Sequence, residues 1–206
     1  MKCFRVFIGI FMAMSLAASA HQPRLVLDRT SIEVRTPEVS QAFYARLNGS
    51  AQSYYIRSDV AFHLYVNLLV PDLRSIRTDY EAVIYRGQES PDSVLARLEG
   101  TGFAWKPFYE PFAGDRYYLG PEFEQDVEKG TYIVVVSNPG LHGKYALAIG
   151  KKEKFPPGEW IRTIAILPRL KKQFFEKSPL TAYFNLTGLF ILVIVAGAVG
   201  LKKLVF

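Results

Sequence analysis

Cysteine is nearly absent from this 206-residue chain, and its scarcity limits the chemistry available to the protein. The single cysteine, Cys3, lies in a stretch that we expect to be removed as a leader, so the mature chain has no thiol nucleophile and no disulfide. Exported eukaryotic domains of this size more often carry disulfides. The composition therefore favours a bacterial or archaeal cell envelope.

The sequence also lacks the short motifs of common catalytic sites. It contains no G-x-S-x-G, no H-E-x-x-H, no P-loop and no dinucleotide-binding glycine pattern. An enzyme needs a nucleophile with a base, a carboxylate pair or a metal centre. Since none of these motifs is present, we expect a protein that is not an enzyme.

The start of the chain has the pattern of a signal peptide. Lys2 and Arg5 form a basic region, residues 6–16 form an apolar region, and residues 18–20 read Ala-Ser-Ala, a small-residue cleavage site. We therefore expect a signal peptide over residues 1–20 and a mature chain that begins at His21 outside the cytoplasm.

The end of the chain has the pattern of a membrane anchor. Residues 183–201 carry no charge and are followed by Lys202 and Lys203. As a helix these residues would be ~28 Å long, which matches the ~30 Å hydrocarbon core of a bilayer. We expect a transmembrane helix over 181–203 and a short cytoplasmic tail at 204–206, in a single-pass protein of the cytoplasmic membrane whose ectodomain faces the periplasm or the outside of the cell.

The basic charge of the chain is concentrated just before this anchor. Residues 151–180 contain 8 Lys and Arg against 3 Asp and Glu, net +5, whereas residues 21–150 contain 13 against 16, net −3. This distribution is typical of a juxtamembrane connector at anionic head groups and excludes a nucleic-acid signature. A solvated linker and a helix packed on the domain remain open as alternatives. The residues expected at the membrane interface are Trp160, Arg169, Lys171, Lys172, Phe174 and Phe175.

Residues 21–150 show short alternating runs separated by turn residues, which predict a mainly β fold. The strongest run, 60–70, places Phe62, Leu64 and Val66 on one face and His63 and Tyr65 on the other. No helix-length pattern separates the runs. We therefore expect an exported antiparallel β-sandwich over 21–150, followed by an amphipathic connector over 151–180.

Residues 103–122 are rich in aromatic side chains but are interrupted by Pro107, Pro111 and Gly114. These breaks favour an ordered loop or a sheet edge over a long strand. Exposed aromatic side chains on a β-sandwich bind sugars or partner proteins, whereas buried ones fill the core. The candidates for a partner or ligand surface are Trp105, Tyr109, Glu110 and Asp115.

Two short motifs carry a resemblance to a known family. Gly130-Thr131-Tyr132 and the run 143–147, Gly-Lys-Tyr-Ala-Leu, resemble the closing strands of bacterial pre-peptidase C-terminal domains. The chain also resembles uncharacterised prokaryotic membrane-anchored proteins whose exported part opens with His-Gln-Pro-Arg, as residues 21–24 do. The resemblance implies a jelly-roll-like ectodomain and brings no established activity.

The three histidines suggest a copper site as an alternative. A free α-amino group and the imidazole of His21 would chelate copper together, and His63 or His142 would add a third nitrogen. Calcium is a less favoured alternative, with oxygen ligands from an acidic stretch. That stretch contains Glu110, Asp115, Glu122, Glu124 and Asp126.

The absence of catalytic motifs beside a dedicated anchor favours a binding or interaction module, such as an accessory subunit of a membrane complex. Ala196 and Gly200 are small residues four positions apart, which would permit close helix packing. A copper-binding protein and a carbohydrate-binding surface domain remain open as alternatives.

Overall fold

The fold is described from a computed structural model that covers residues 21–111, 113–186, 188–189 and 191–192. The predicted signal peptide, most of the predicted transmembrane helix and the predicted tail lie outside the described residues. Within the described residues, no helix is both long and apolar enough to cross a membrane.

The described chain forms two curled sheets packed face to face. Sheet A contains, in spatial order, β1 (Gln22–Leu27), β3 (Gln41–Asn48), β11 (His142–Ile149), β5 (Phe62–Pro71), β9 (Asp115–Val127) and β8 (Lys106–Glu110). Sheet B contains β2 (Ser31–Val34), β4 (Gln52–Ser58), β10 (Gly130–Ser137), β6 (Glu81–Arg86) and β7 (Val94–Glu99). The expected mainly β, sandwich-like fold is confirmed.

The core between the sheets follows from strand alternation. In β5, Phe62, Leu64 and Val66 point into the sandwich and are buried, as the period of two requires. In sheet B, Tyr54 and Tyr132 point into the same core from neighbouring strands. The alternating residues therefore seal a single core between the sheets.

The sheets are mixed, so the expectation of a purely antiparallel sandwich is wrong. β1 pairs with β3 in parallel, and β2 pairs with β4 in parallel. The chain leaves β1 on sheet A and enters β2 on sheet B after only three residues, 28–30. β1 and β2 each form the edge strand of a sheet. Each pairs with a strand that is not its neighbour in the sequence, so the local sequence does not set the direction of pairing.

The aromatic stretch contains a hairpin that the sequence did not predict. β8 and β9 pair from Lys106↔Leu119 to Glu110↔Asp115, and β9 is 13 residues long in total. β8 is the edge strand, in line with the expected edge, but β9 is a long interior strand. Proline is tolerated here because Pro107 lies in the edge strand and Pro111 lies beyond it.

A helix covers the outer face of sheet A. Helix α1 (Pro157–Gln173) and a 3₁₀ helix (Pro179–Tyr183) lie over this sheet and enclose a second apolar cluster. The members of this cluster include Ala42, Tyr44, Ala146, Ala148, Leu167, Leu170, Phe174 and Phe175. Of the alternatives for residues 151–180, a helix packed on the domain is therefore the arrangement that forms.

Candidate functional site at the docked C-terminal segment

A buried ion pair joins helix α1 to sheet A. Nζ of Lys171 donates to Oδ2 of Asp115 at 2.6 Å, and the two side chains are 1% and 0% exposed. Nζ of Lys177 donates to Oδ1 of the same carboxylate at 3.0 Å. Burial lowers the pKa of the Lys171 ammonium, and the nearby Asp115 carboxylate opposes that shift.

This ion pair corrects two predicted roles. Asp115 does not form part of an exposed ligand surface, because its carboxylate is buried and bonded to two lysines. Lys171 does not face a membrane, because its ammonium lies inside the protein. A buried charge needs a partner in the interior, and each residue supplies that partner for the other.

Phe174 and Phe175 are also buried rather than exposed at a membrane interface. Phe174 packs edge-on against Tyr44 with ring centroids 5.0 Å apart, and Phe175 packs edge-on against Tyr117 at 5.3 Å. The hydroxyl groups of Tyr44 and Tyr117 are 3.1 Å apart and share a hydrogen bond. These rings fix the end of α1 on sheet A.

The tip of the β8–β9 hairpin holds the segment that leads towards the predicted anchor. Nδ2 of Asn185 donates to the carbonyl oxygen of Ala113 at 2.7 Å, and Nζ of Lys171 donates to the same oxygen. A Cβ on Gly114 would lie 3.2 Å from Cβ of Asn185, so the hairpin and the segment are in close contact. The start of the uncharged run is therefore fixed to the domain and is not a free linker.

A small cavity lies between α1 and sheet A. Its volume is about 30 Å³, and its lining includes His21, Tyr44, Glu110 and Thr163. Oγ1 of Thr163 is buried and has no hydrogen-bond partner among the described residues. A cavity of this size has room for about one water molecule.

The other residues predicted at the membrane interface lie on or beside the outward face of α1. Arg169 and Lys172 are exposed, and Trp160 is half-buried against Phe155, with ring centroids 5.0 Å apart. Ile161 is 72% exposed on the same helix. In the following segment Leu180 and Phe184 are 69% and 84% exposed. These residues form an exposed basic and apolar surface, which we call the α1 face.

The structure does not bring the three histidines together. Nδ1 of His21 bonds to the hydroxyl of Ser40 beside the helix, and burial lowers the pKa of this imidazole. From the strand registers, His63 and His142 lie at opposite ends of sheet A. Within the described residues no group of three metal-ligating side chains converges. The three imidazoles instead contact Ser40, Asp126 and Arg77, respectively.

His63 is engaged with the carboxylates that were considered for calcium. Nδ1 lies 2.7 Å from Oδ1 of Asp126, and Nε2 lies 2.9 Å from Oε1 of Glu124. These hydrogen bonds, that to Asp126 first, raise the pKa of His63. Glu122 accepts a hydrogen bond from the Tyr65 hydroxyl, at 2.8 Å. These three carboxylates therefore form hydrogen bonds with His63 and Tyr65 and do not form a calcium site.

Of the two aromatic candidates for the ligand surface, Trp105 is half-buried. Its Nε1 donates to the carbonyl oxygen of Gly100 at 2.9 Å, and its ring occupies the space beside Gly100 and Gly120. Tyr109 is 55% exposed. Oε2 of the neighbouring Glu110 accepts a hydrogen bond from the backbone N–H of Ala113 at 2.7 Å. Tyr109 alone of the predicted ligand surface is a strongly exposed aromatic residue.

The outer face of sheet B carries an apolar stripe that the sequence analysis did not assign to a site. Tyr55, Ile133 and Tyr85 lie side by side across β4, β10 and β6, and Val135 pairs with Val83 in the next row. Tyr55 is 39% exposed and Arg57 next to the stripe is also exposed, Tyr85 and Val135 are half-buried, and Ile133 and Val83 are buried. The signal for this stripe was present in the sequence, because β10 is apolar on both of its faces.

Comparisons with known proteins find distant structural similarity to solved β domains. No protein-family model matches the chain, and a search of curated proteins finds no match. The pre-peptidase C-terminal domain of collagenase from Bacillus anthracis is 9% identical with a TM-score of 0.36, over 60% of this chain and 95% of that domain. CorA, a surface-associated copper-binding protein of Methylomicrobium album BG8, is 9% identical with a TM-score of 0.29, over 62% of this chain and all of that one. Scores of this size carry no argument about what this chain binds.

Proposed function

We propose that this protein is a membrane-anchored extracytoplasmic interaction module, an accessory subunit that presents one face of a β-sandwich to a protein partner. The observation that carries the proposal is the docking of the C-terminal segment on sheet A through Asp115, Lys171 and Asn185. A domain fixed in this way holds the start of the uncharged run, residues 183–186, in a constant position. Constant orientation suits a subunit that meets its partner at a membrane.

The partner surface that fits this arrangement is the apolar stripe of sheet B. Helix α1 covers sheet A, whereas Tyr55, Ile133 and Tyr85 lie on the opposite side of the sandwich. An apolar strip with charged neighbours is typical of protein interaction sites. The carbohydrate-binding and copper-binding alternatives have no comparable group of residues in the described chain.

Membrane anchoring is tested by deletion of residues 193–206 from the full chain. We expect the full chain to resist extraction from membranes by alkaline carbonate and the deleted chain to be released, because only residues 183–192 of the uncharged run remain and these are too few to span a bilayer. Protease added to intact spheroplasts should digest the domain. Retention of the deleted chain in the membrane, or protection of the domain from protease, would overturn the anchoring or its orientation.

The partner surface is tested with Tyr55→Glu in the full chain, after extraction with a mild detergent. We expect the unchanged protein to migrate on native gels in a complex larger than the single chain, and Tyr55→Glu to dissociate that complex. Val60→Glu is the matched control, since Val60 is 68% exposed outside the strands. Migration as a single chain, or equal effects of both substitutions, would contradict the proposal.

A further inference from the structure

The α1 face carries positive charge that is not balanced by ion pairs. Arg169 and Lys172 are exposed on the outward side of the helix, and neither forms an ion pair with another described residue. Ile161 and Ala165 lie on the same side, because residues three and four apart share a helix face. The surface therefore combines two free cations with small and apolar side chains.

The acidic residues next to the α1 face form ion pairs with basic residues of the protein. Oε2 of Glu159 accepts from Nη1 of Arg24 at 2.8 Å, and the same carboxylate lies 3.5 Å from Arg162. Oε1 of Glu176 accepts from Nζ of Lys144 at 2.8 Å. The potential at the α1 face is consequently positive.

The position of the α1 face in the chain indicates what covers it. The hydroxyl of Tyr183 donates to the carbonyl oxygen of Ile164 at 3.4 Å, so the first residue of the uncharged run lies against α1. Leu180 and Phe184 expose apolar side chains at the same place. A chain that enters a bilayer from this point brings the α1 face to the level of the lipid head groups.

We propose that the α1 face binds the head groups of anionic phospholipids, so that α1 lies along the bilayer surface and the stripe of sheet B faces away from it. This inference rests on the membrane anchoring proposed above. Lysine and arginine near an anionic leaflet gain electrostatic energy, and apolar side chains beside them enter the interface. Because Asp115 and Lys171 fix the helix on sheet A, lipid binding by α1 orients the whole domain.

The test uses the full chain with Cys3→Ser and a fluorescent nitrobenzoxadiazole label on Ala165→Cys. The protein is reconstituted into vesicles of phosphatidylcholine alone, or with about one third phosphatidylglycerol, each containing a lipid with a nitroxide head group. We expect strong quenching of the label in anionic vesicles and weak quenching in neutral ones. A label on Tyr55→Cys should remain unquenched in both.

Charge removal provides the matched comparison. Arg169→Gln with Lys172→Gln should lower the ratio of surface-bound to unbound helix roughly 30-fold, since each basic residue contributes about 1 kcal/mol at an anionic surface. Arg57→Gln with Arg86→Gln removes the same charge from exposed positions of sheet B and should change nothing. Quenching at Ala165→Cys that is independent of lipid charge, or equal effects of the two double variants, would overturn the inference.

The same samples show whether a negative result contradicts lipid binding by the α1 face or the proposed anchoring. Flotation of the vesicles on a density gradient reports whether the chain is inserted. A chain that floats with neutral vesicles but shows no charge-dependent quenching retains its anchor and disproves lipid binding by the α1 face. A chain that does not float with either vesicle disproves the anchoring, and the inference falls with it.

Discussion

Asp115 and Lys171 are 56 residues apart in the sequence and 2.6 Å apart in the fold, where both side chains are buried. Asp115 begins β9, and Lys171 lies in the last turn of α1. Their contact joins the helix to the sheet at the point where the chain turns towards the uncharged run. The stability of this contact therefore controls whether the C-terminal segment stays docked.

Replacement of Asp115 by Asn should destabilise the protein by about 3–5 kcal/mol, because the Lys171 ammonium then remains buried without a counter-ion. Lys171→Met should cost less, since Lys177 still pairs with the Asp115 carboxylate. Urea unfolding of the full chain in mild detergent measures both changes. Arg97→Gln, which removes an exposed ion pair with Glu81, serves as the control and should cost less than about 1 kcal/mol. An Asp115→Asn variant as stable as this control would disprove the role of the ion pair.

Tyr145→Phe should destabilise the core more than Tyr54→Phe. The hydroxyl of Tyr145 donates to Oε1 of Gln52 at 2.7 Å and accepts from the hydroxyl of Tyr54 at 2.9 Å. Loss of the Tyr145 hydroxyl leaves Oε1 of Gln52 and the hydroxyl of Tyr54 without this partner and should cost about 1–3 kcal/mol. Loss of the Tyr54 hydroxyl leaves the hydrogen bond from Tyr145 to Gln52 intact. Equal unfolding free energies for the two variants would contradict this direction of hydrogen bonding.

His63 should make the protein more stable in mildly acidic solution. Its carboxylate partners raise the pKa of the imidazole in the folded state. The stabilisation is therefore complete at pH values below the pKa in the unfolded chain, about 6.5, and is lost as the pH rises through the higher pKa of the folded state. We expect His63→Gln to lower the melting temperature at about pH 6 and to have little effect at about pH 9. NMR titration of the imidazole should give a pKa above its ordinary value, and Asp126→Asn should lower that pKa. The prediction fails if the His63→Gln effect is independent of pH.

Gly120→Ala should disturb the packing of Trp105. A Cβ at residue 120 would lie 2.5 Å from two ring atoms of Trp105 and 2.7 Å from the carbonyl oxygen of Leu68, so ring or backbone must move. We expect a loss of about 1–3 kcal/mol and a red shift of tryptophan fluorescence. Gly158→Ala is the control, since a Cβ there meets no atom within 4 Å and alanine favours a helix. A Gly120→Ala protein with unchanged stability and fluorescence would show that Trp105 is not held by this contact.

Copper titration should show no dependence on His63 or His142. These side chains lie at opposite ends of sheet A and are bonded to Asp126 and Arg77, respectively. We expect His63→Ala and His142→Ala to leave Cu(II) stoichiometry and affinity unchanged, as measured by isothermal titration on protein whose mature N terminus is verified by mass spectrometry. Loss of copper binding in either variant would show that a histidine site assembles in solution.

The sequence determined the elements whose signal is local. The alternation of Phe62, Leu64 and Val66 with His63 and Tyr65 fixed β5 and its inner face, because a strand that is buried on one side must alternate. The two motifs that resemble closing strands, Gly130-Thr131-Tyr132 and residues 143–147, do lie in strands, β10 and β11. The mainly β character and the helix-forming capacity of the basic connector were also available from the sequence.

The tertiary structure alone decided which surfaces are covered. The basic and aromatic residues after 157 fit a membrane interface and a packed helix equally well, since an amphipathic pattern specifies an apolar face but not what covers it. Sheet A covers that face, so Lys171, Phe174 and Phe175 are buried while Arg169 and Lys172 remain exposed. The parallel pairing of β1 and β2 and the partner of Asp115 depend on strands and helices far away in the sequence, where local periodicity carries no information.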